Sequence, residues 1–218
     1  MKYLYKYPQE EFPYEDLVAT NRQRSRYELE YELLDTGIFD DDRYFDVFIE
    51  YAKADVDDIL IKISVANRGS SAATLDVLPT LWFRNTWSWS DGGVKPVIKK
   101  IEGIGHTVAH AHINDDSLKI NSKDYYFYCD GTIPLLFTEN ETNDERIFNQ
   151  PNTTPFVKDG INNYIVHQQP DKINPEQVGT KMSSHHHITI GAQETIVIKL
   201  RLSSQSPSQM GNPFDSKF

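Results

Sequence analysis

The chain has 218 residues, 39% of them hydrophobic, enough for one substantial core and too few to require a second domain. Asp and Glu number 32 against 22 Lys and Arg, a formal charge of −10, which repels phosphate backbones and excludes nucleic acid as an expected partner. The single Cys129 excludes an internal disulfide framework and points to a reducing, cytoplasmic compartment, while the absence of a secretory leader or a window of membrane-spanning length argues against a membrane partner.

In chain order, "MKYLYKYPQ" alternates from its first residues and reads as a strand, and "EDLVATNRQR" reads as a short helix. "YELEYELL" puts Tyr27, Leu29, Tyr31 and Leu33 on one face and Glu28, Glu30 and Glu32 on the other, the pattern of a half-buried strand. "DDDR", Asp40 to Arg43, lacks the spaced oxygen ligands and glycine of a calcium loop and is read as a solvated acidic turn. Clear alternation follows in "RYFDVFIEYAK", with Phe45, Val47, Ile49 and Tyr51 together, and in "DILIKISVANRG", with Ile59, Ile61, Ile63 and Val65 together before the turn residues Asn67 and Gly69.

In "ATLDVLPTLWF", Leu75, Val77, Leu81 and Phe83 face the expected core, which leaves Trp82 and Arg84 on the opposite face. Residues 90 to 105 are rich in Gly and Lys and look like a variable loop. Strands are expected at "HTVAHAHI", "YYFYCD", "PLLFTE", "HHHITI" and "ETIVIKLRL", the last aligning Ile196, Ile198, Leu200 and Leu202. Between "PLLFTE" and "HHHITI" lies a long polar connection, "FTENETNDERIFNQPNTTPFVKDGINNY", with a short helix expected from Asn143 to Phe148. Many strands without crossover helices predict an all-β fold, a large antiparallel β-sandwich over residues 1–202 with short helices in loops. The Ser-, Gln- and Pro-rich residues 203–218 read as a linker leaving that domain.

Three groups of side chains invite chemistry. Trp87 and Trp89 sit two apart and in extended chain would project from one side, where indoles can stack on sugar and Arg84 and Asn85 can bond hydroxyls; burial in a core or domain interface is the competing reading. His106, His110 and His112 share one face of their strand, and His185 and His187 one face of theirs, but neither spacing is diagnostic for zinc, so no metal or other cofactor is assigned. Glu139 and Glu141 point the same way in extended chain and sit too close for the ~6.5–9.5 Å that inverting glycoside hydrolysis needs. No G-x-S-x-G, phosphate loop, dinucleotide fingerprint or H-E-x-x-H motif is present.

Several long strings, "MKYLYKYPQ", "YELLDTGIFDDDRYFDVFIEYAKA", "DILIKISVANRG", "LPTLWFRNTWSW", "LLFTENETNDERIF" and "PFVKDGINNYIVH", resemble the N-terminal region of large bacterial proteins of glycoside hydrolase family 63, which includes mannosyl-oligosaccharide glucosidases. The likeness runs from Met1 to about Leu202 and weakens between Ser90 and Lys123, so the histidines there inherit no role. It implies a galactose-mutarotase-like β-supersandwich that precedes an (α/α)6 barrel carrying both catalytic carboxylates of an inverting α-glucosidase. On that implication this chain is a noncatalytic domain with no catalytic residue. Its partner is the barrel and, secondarily, oligosaccharide. Arg84, Asn85, Trp87, Trp89, Glu139, Asn140, Glu141, Asn143, Lys158 and Asp159 are then expected at one rim. A stand-alone carbohydrate-binding module is the alternative, and a mutarotase-like enzyme using a pair such as His112 and Glu139 a further one.

Overall fold

The computed structural model describes residues 1–89, 93–113, 124–215 and 218. In chain order its elements are β1 (Lys2–Pro8), α1 (Tyr14–Gln23), β2 (Tyr44–Asp55), β3 (Asp58–Asn67), β4 (Ala73–Val77), β5 (Thr80–Trp82), β6 (Val97–Ile101), β7 (His106–His112), β8 (Tyr125–Asp130), β9 (Leu135–Thr138), α2 (Asp144–Phe148), α3 (Gly160–His167), β10 (Val178–Gly179), β11 (Lys181–Ser184), β12 (His186–Ile190), β13 (Thr195–Ser203) and α4 (Pro207–Met210). The expected all-β class holds. One large antiparallel sheet has the order β1-β2-β3-β13-β8-β7-β6-β10, a second β5-β11-β9 and a third β12-β4. Among the described residues no helix is long and apolar enough to cross a membrane.

The chain forms two compact units. The first comprises Met1–Tyr51, Lys62–Leu75 and Ile188–Ile198. Here β1 runs antiparallel to β2 from Lys2 opposite Glu50 to Pro8 opposite Tyr44. Phe45 and Val65 are buried, and so is Asp46, which the period-two pattern places on the other side of β2. That carboxylate accepts from Lys6 Nζ at 2.8 Å and from Arg68 Nε at 2.7 Å. Burial raises its pKa, but the two cations outweigh burial and hold it below the ordinary carboxylate value. Asn67, also buried, bonds the Ile190 and Gly191 carbonyls and accepts from Gln9.

The second unit comprises Ala52–Ile61, Asp76–His187 and Lys199–Phe218. In its part of the large sheet, Ile98 lies opposite Ala111, Ala109 opposite Phe127, Thr107 opposite Cys129, and Cys129 opposite Leu200. These residues are all buried and form one continuous face. The second sheet lies against that face, because the Cys129 thiol hydrogen-bonds Ser184 of β11. Within the second sheet Met182 pairs with Phe137 and Leu81, so the core between the sheets is apolar from both sides. Burial pushes the Cys129 thiol up to about 12. β10 and β11 are nearly continuous, and the chain passes from the large sheet to the second at Thr180. A Cβ at Gly179 would fall 2.3 Å from the Thr138 carbonyl oxygen, so glycine alone allows this passage.

Three local expectations are corrected. "YELEYELL" forms no strand: Tyr27 and Leu29 are 83% and 87% exposed, and Leu33–Thr36 is a 3-10 turn. The Asn21 side chain takes both the N–H and the C=O of Tyr31, at 2.9 and 2.8 Å, the groups a neighbouring strand would have used. Conversely, the stretch read as a variable loop contains β6, whose Ile98 is fully buried; "VIKKI" does not alternate, so its register comes from pairing with β7. The long polar connection also holds α3, where Ile161 is buried. Residues beyond β13 also make specific contacts: Gln205 C=O accepts from Tyr128 Oη at 2.6 Å and Pro213 C=O from Arg201 at 3.0 Å.

Replacing Asp46 by Ala removes the shared acceptor of two half-exposed cations, and urea denaturation at pH 7 should show a loss of about 2 kcal/mol. The native Asp46 pKa lies below its unfolded value of ~3.9, so its stabilisation is complete above that value and disappears as pH falls through the lower native one. The gap between parent and D46A should therefore narrow below about pH 4.

Candidate functional site

Most of the residues expected at one rim belong to a connected network in the second unit. β9 ends at Thr138, but the chain stays extended: Glu139 N–H bonds the Phe156 carbonyl at 2.7 Å and Lys158 N–H bonds the Glu141 carbonyl at 3.0 Å. Extended backbone sends Glu139 and Glu141 to the same side, where both carboxylates meet the Lys95 ammonium, at 3.2 and 2.9 Å. Their proximity was legible from the spacing. Lys95 was not.

Each remaining oxygen contact is also specific. Trp87 Nε1–H donates to Glu141 Oε1 at 3.0 Å and Thr153 Oγ1 to Glu141 Oε2 at 3.1 Å. Thr180 Oγ1 donates to Glu139 Oε2 while accepting the Asn140 N–H, both at 2.7 Å. The side chains of Glu139 and Glu141 are only 17% and 19% exposed, so their charges need this compensation. Burial raises the Glu141 pKa, but the Lys95 and Trp87 hydrogen bonds prevail and leave it below the ordinary value. Burial likewise pulls Lys95 down, and the two carboxylates overcome it, leaving the ammonium above the ordinary lysine value. Gly93 brings this segment close: a Cβ there would fall 2.5 Å from the Trp87 carbonyl oxygen.

The network extends outward from this cluster. Asn140 Nδ2 bonds the Phe83 carbonyl at 2.9 Å, which ties the tryptophan segment to the "ENETN" loop. Asn143 caps α2 through Arg146 N–H and donates to both oxygens of Asp159 at 3.1 Å, and Arg146 pairs with Asp159. Lys158 Nζ reaches Thr142 Oγ1 at 3.3 Å. Trp87 and Trp89 do not project together as extended chain would have them. A turn, Trp89 N–H to Thr86 C=O at 3.3 Å, separates a half-buried Trp87 from a Trp89 that is 66% exposed. The Arg84 guanidinium lies 5.1 Å from the Trp89 ring centre, and Asn85 bonds Ser88.

Two further groups of side chains could hold a metal ion. Asp76 Oδ1 lies 2.7 Å from His185 Nε2 and 2.8 Å from His187 Nδ1, while Asp124 Oδ1 lies 2.8 Å from His110 Nε2 and 2.6 Å from His112 Nδ1. The shared faces were legible, but Asp76 and Asp124 were not singled out. The available signal was that two imidazoles at i and i+2 need an acceptor on a neighbouring strand. His106 stands apart, its ring 5.6 Å from that of Tyr128.

No family model matches the chain. It is similar to "Uncharacterized protein YMR196W" of Saccharomyces cerevisiae, 30% identical over 214 residues, an alignment covering 86% of this chain and 20% of the yeast protein. The chain thus spans about one fifth of that relative's length.

Replacing Lys95 by Met would leave two nearly buried carboxylates facing each other. Lys95 is itself 43% exposed, which moderates the effect, and denaturation at pH 7 should show a loss of about 1–2 kcal/mol. Native Glu141 titrates below its unfolded value of ~4.3, so its contribution is complete above that pH and lost as pH falls through the lower native value. In K95M the loss of the ammonium and the facing carboxylate raise Glu141 instead, so the deficit should be largest at neutral pH and shrink near pH 4.5.

Proposed function

We propose that this chain is a noncatalytic sandwich domain of a glycoside hydrolase family 63-like α-glucosidase, and that its rim docks on a helical catalytic barrel and shapes the mouth of the active site. The observation that carries this reading is the internal pairing of the rim carboxylates. A general acid for glycoside hydrolysis needs a carboxyl that keeps its proton near neutrality, whereas Lys95, Trp87 and Thr153 favour ionised Glu141, and Lys95 and Thr180 occupy Glu139. What the rim still offers is surface: Trp89, 66% exposed, and beside it in the chain Trp82, 55% exposed on β5 opposite Lys181, whose Nζ bonds the carbonyl of the rim residue Lys158. The likeness to a segment within a much longer yeast chain supports a domain that works beside others. A buried, unbridged Cys129 fits a reducing, cytoplasmic setting.

A carbohydrate-binding module is the second reading, favoured by the exposed Trp89 indole with a guanidinium beside it. The same guanidinium, however, covers ring area that a sugar would need. A mutarotase-like pair of His112 and Glu139 is less well supported, since His112 bonds Asp124 and Glu139 bonds Thr180 and Lys95.

Calorimetric titration with maltose, nigerose and kojibiose, together with an α-glucoside hydrolysis assay, separates these readings. A docking domain should give no turnover and no measurable heat. Sugar binding that W89A weakens tenfold or more would establish the module instead, and hydrolysis by the chain unaided would overturn the noncatalytic reading.

A further inference from the structure

The run "SSHHHITI" alternates in the structure as strands do. His186 turns inward, 7% exposed, with Nε2 3.2 Å from Ser184 Oγ, while His185 and His187 turn outward on either side of it. Asp76 reaches both outward rings from β4, the strand paired with β12, and its Oδ1 accepts one N–H from each. The three donor atoms, Asp76 Oδ1, His185 Nε2 and His187 Nδ1, lie within 4.8 Å of one another. His185 is 16% exposed, its backbone N–H bonded to the Pro134 carbonyl at 2.9 Å and its ring edge-on to Tyr164 at 6.2 Å. The side chains of Asp76 and His187 are 29% and 67% exposed, which leaves an approach from solvent.

We propose that Asp76, His185 and His187 form a binding site for a divalent transition-metal ion of the zinc class, with three protein donors and the remaining coordination open to water. Two imidazoles and one carboxylate suit Zn(II) and its neighbours, and do not suit Ca(II) or Mg(II), which demand oxygen donors. Bonds of ~2.0–2.2 Å to a tetrahedral ion set its donors about 3.4 Å apart. The His–Asp separations of 2.7 and 2.8 Å must therefore open by about 0.6–0.7 Å, which rotation of the part-exposed Asp76 side chain away from His185 and of the exposed His187 side chain away from Asp76 can supply. Each ring gives Asp76 the N–H of the nitrogen that would meet the ion, so on binding that proton passes through solvent to the nitrogen facing away, Nδ1 of His185 and Nε2 of His187, with none gained or lost, and the ion replaces two hydrogen bonds. The ion would tie β4 to the β11–β12 junction and, binding the native chain alone, raise its melting temperature. This site stands independently of the glucosidase reading.

The test is calorimetric titration of the chelator-stripped chain with ZnCl2, read with the melting temperature. The parent should bind zinc and melt higher with it. H187A should lose one equivalent or bind it at least tenfold more weakly, as should D76A. H112A, which alters the separate group of His110, His112 and Asp124, should keep that equivalent. His187 is largely exposed, so metal-free H187A should match the circular dichroism and melting temperature of the metal-free parent. Absence of binding in the parent, full retention in H187A or D76A, or loss of all binding in H112A would overturn the proposal.

Discussion

A carboxylate withdrawn from water must find a cation or several hydrogen-bond donors, and that demand organises both units of this chain. In the first, Asp46 is held between Lys6 and Arg68. In the second, Asp58 is gripped by the Arg201 fork, and Glu139 and Glu141 converge on Lys95. The last case places the strictest demands on the backbone. Lys95 arrives only because Gly93 lies against the Trp87 backbone and because β6 pairs with β7 immediately afterwards. Glu139 and Glu141 face it together only because the chain stays extended beyond β9, held by the Phe156 carbonyl and the Lys158 amide.

Most of the sheet was legible because period-two alternation records burial on one face, and β2, β3 and β13 each carry it clearly. The failures at "YELEYELL" and "VIKKI" are complementary. Alternation describes what a strand would bury, but a strand exists only where a neighbour satisfies its backbone groups. Asn21 satisfies those of Tyr31 from a helix, so the alternating segment stays out of the sheets, whereas β7 recruits a segment with no alternation. Side-chain sites follow the same logic. Spacing along one segment showed that Glu139 and Glu141, or His185 and His187, share a side. The partners on which they converge, Lys95 and Asp76, come from other strands or loops and leave no local trace.

The histidine groups and the rim use carboxylates in opposite ways. At the rim both Glu141 oxygens and Glu139 Oε2 are occupied by a cation, a hydroxyl or an indole N–H, and the cluster is largely shielded from water. At Asp76 one oxygen serves two imidazole rings at a surface where the outer histidine is mostly exposed. The first arrangement is a closed electrostatic clamp. The second is a set of converging donors that can open, which is why a ligand can be argued for one and not for the other.

On the docking reading, the closed clamp also fixes what the rim can contribute energetically. Its charges are already compensated internally, so a partner gains little by facing them and would have to break Lys95 contacts to engage them. The uncommitted resource is aromatic area. A tryptophan buries roughly 150–250 Å² when covered, so Trp82 and Trp89, each more than half exposed, leave on the order of 200 Å² between them. At ~25 cal/mol per Å² that is about 5 kcal/mol before ordering costs, a useful share of a domain interface. A single sugar ring can cover only part of one indole, and Arg84 already lies over Trp89. The available surface therefore suits a broad protein partner better than a small saccharide, and a sealed ionic cluster behind it suits a face that must stay in one shape while another domain rests on it.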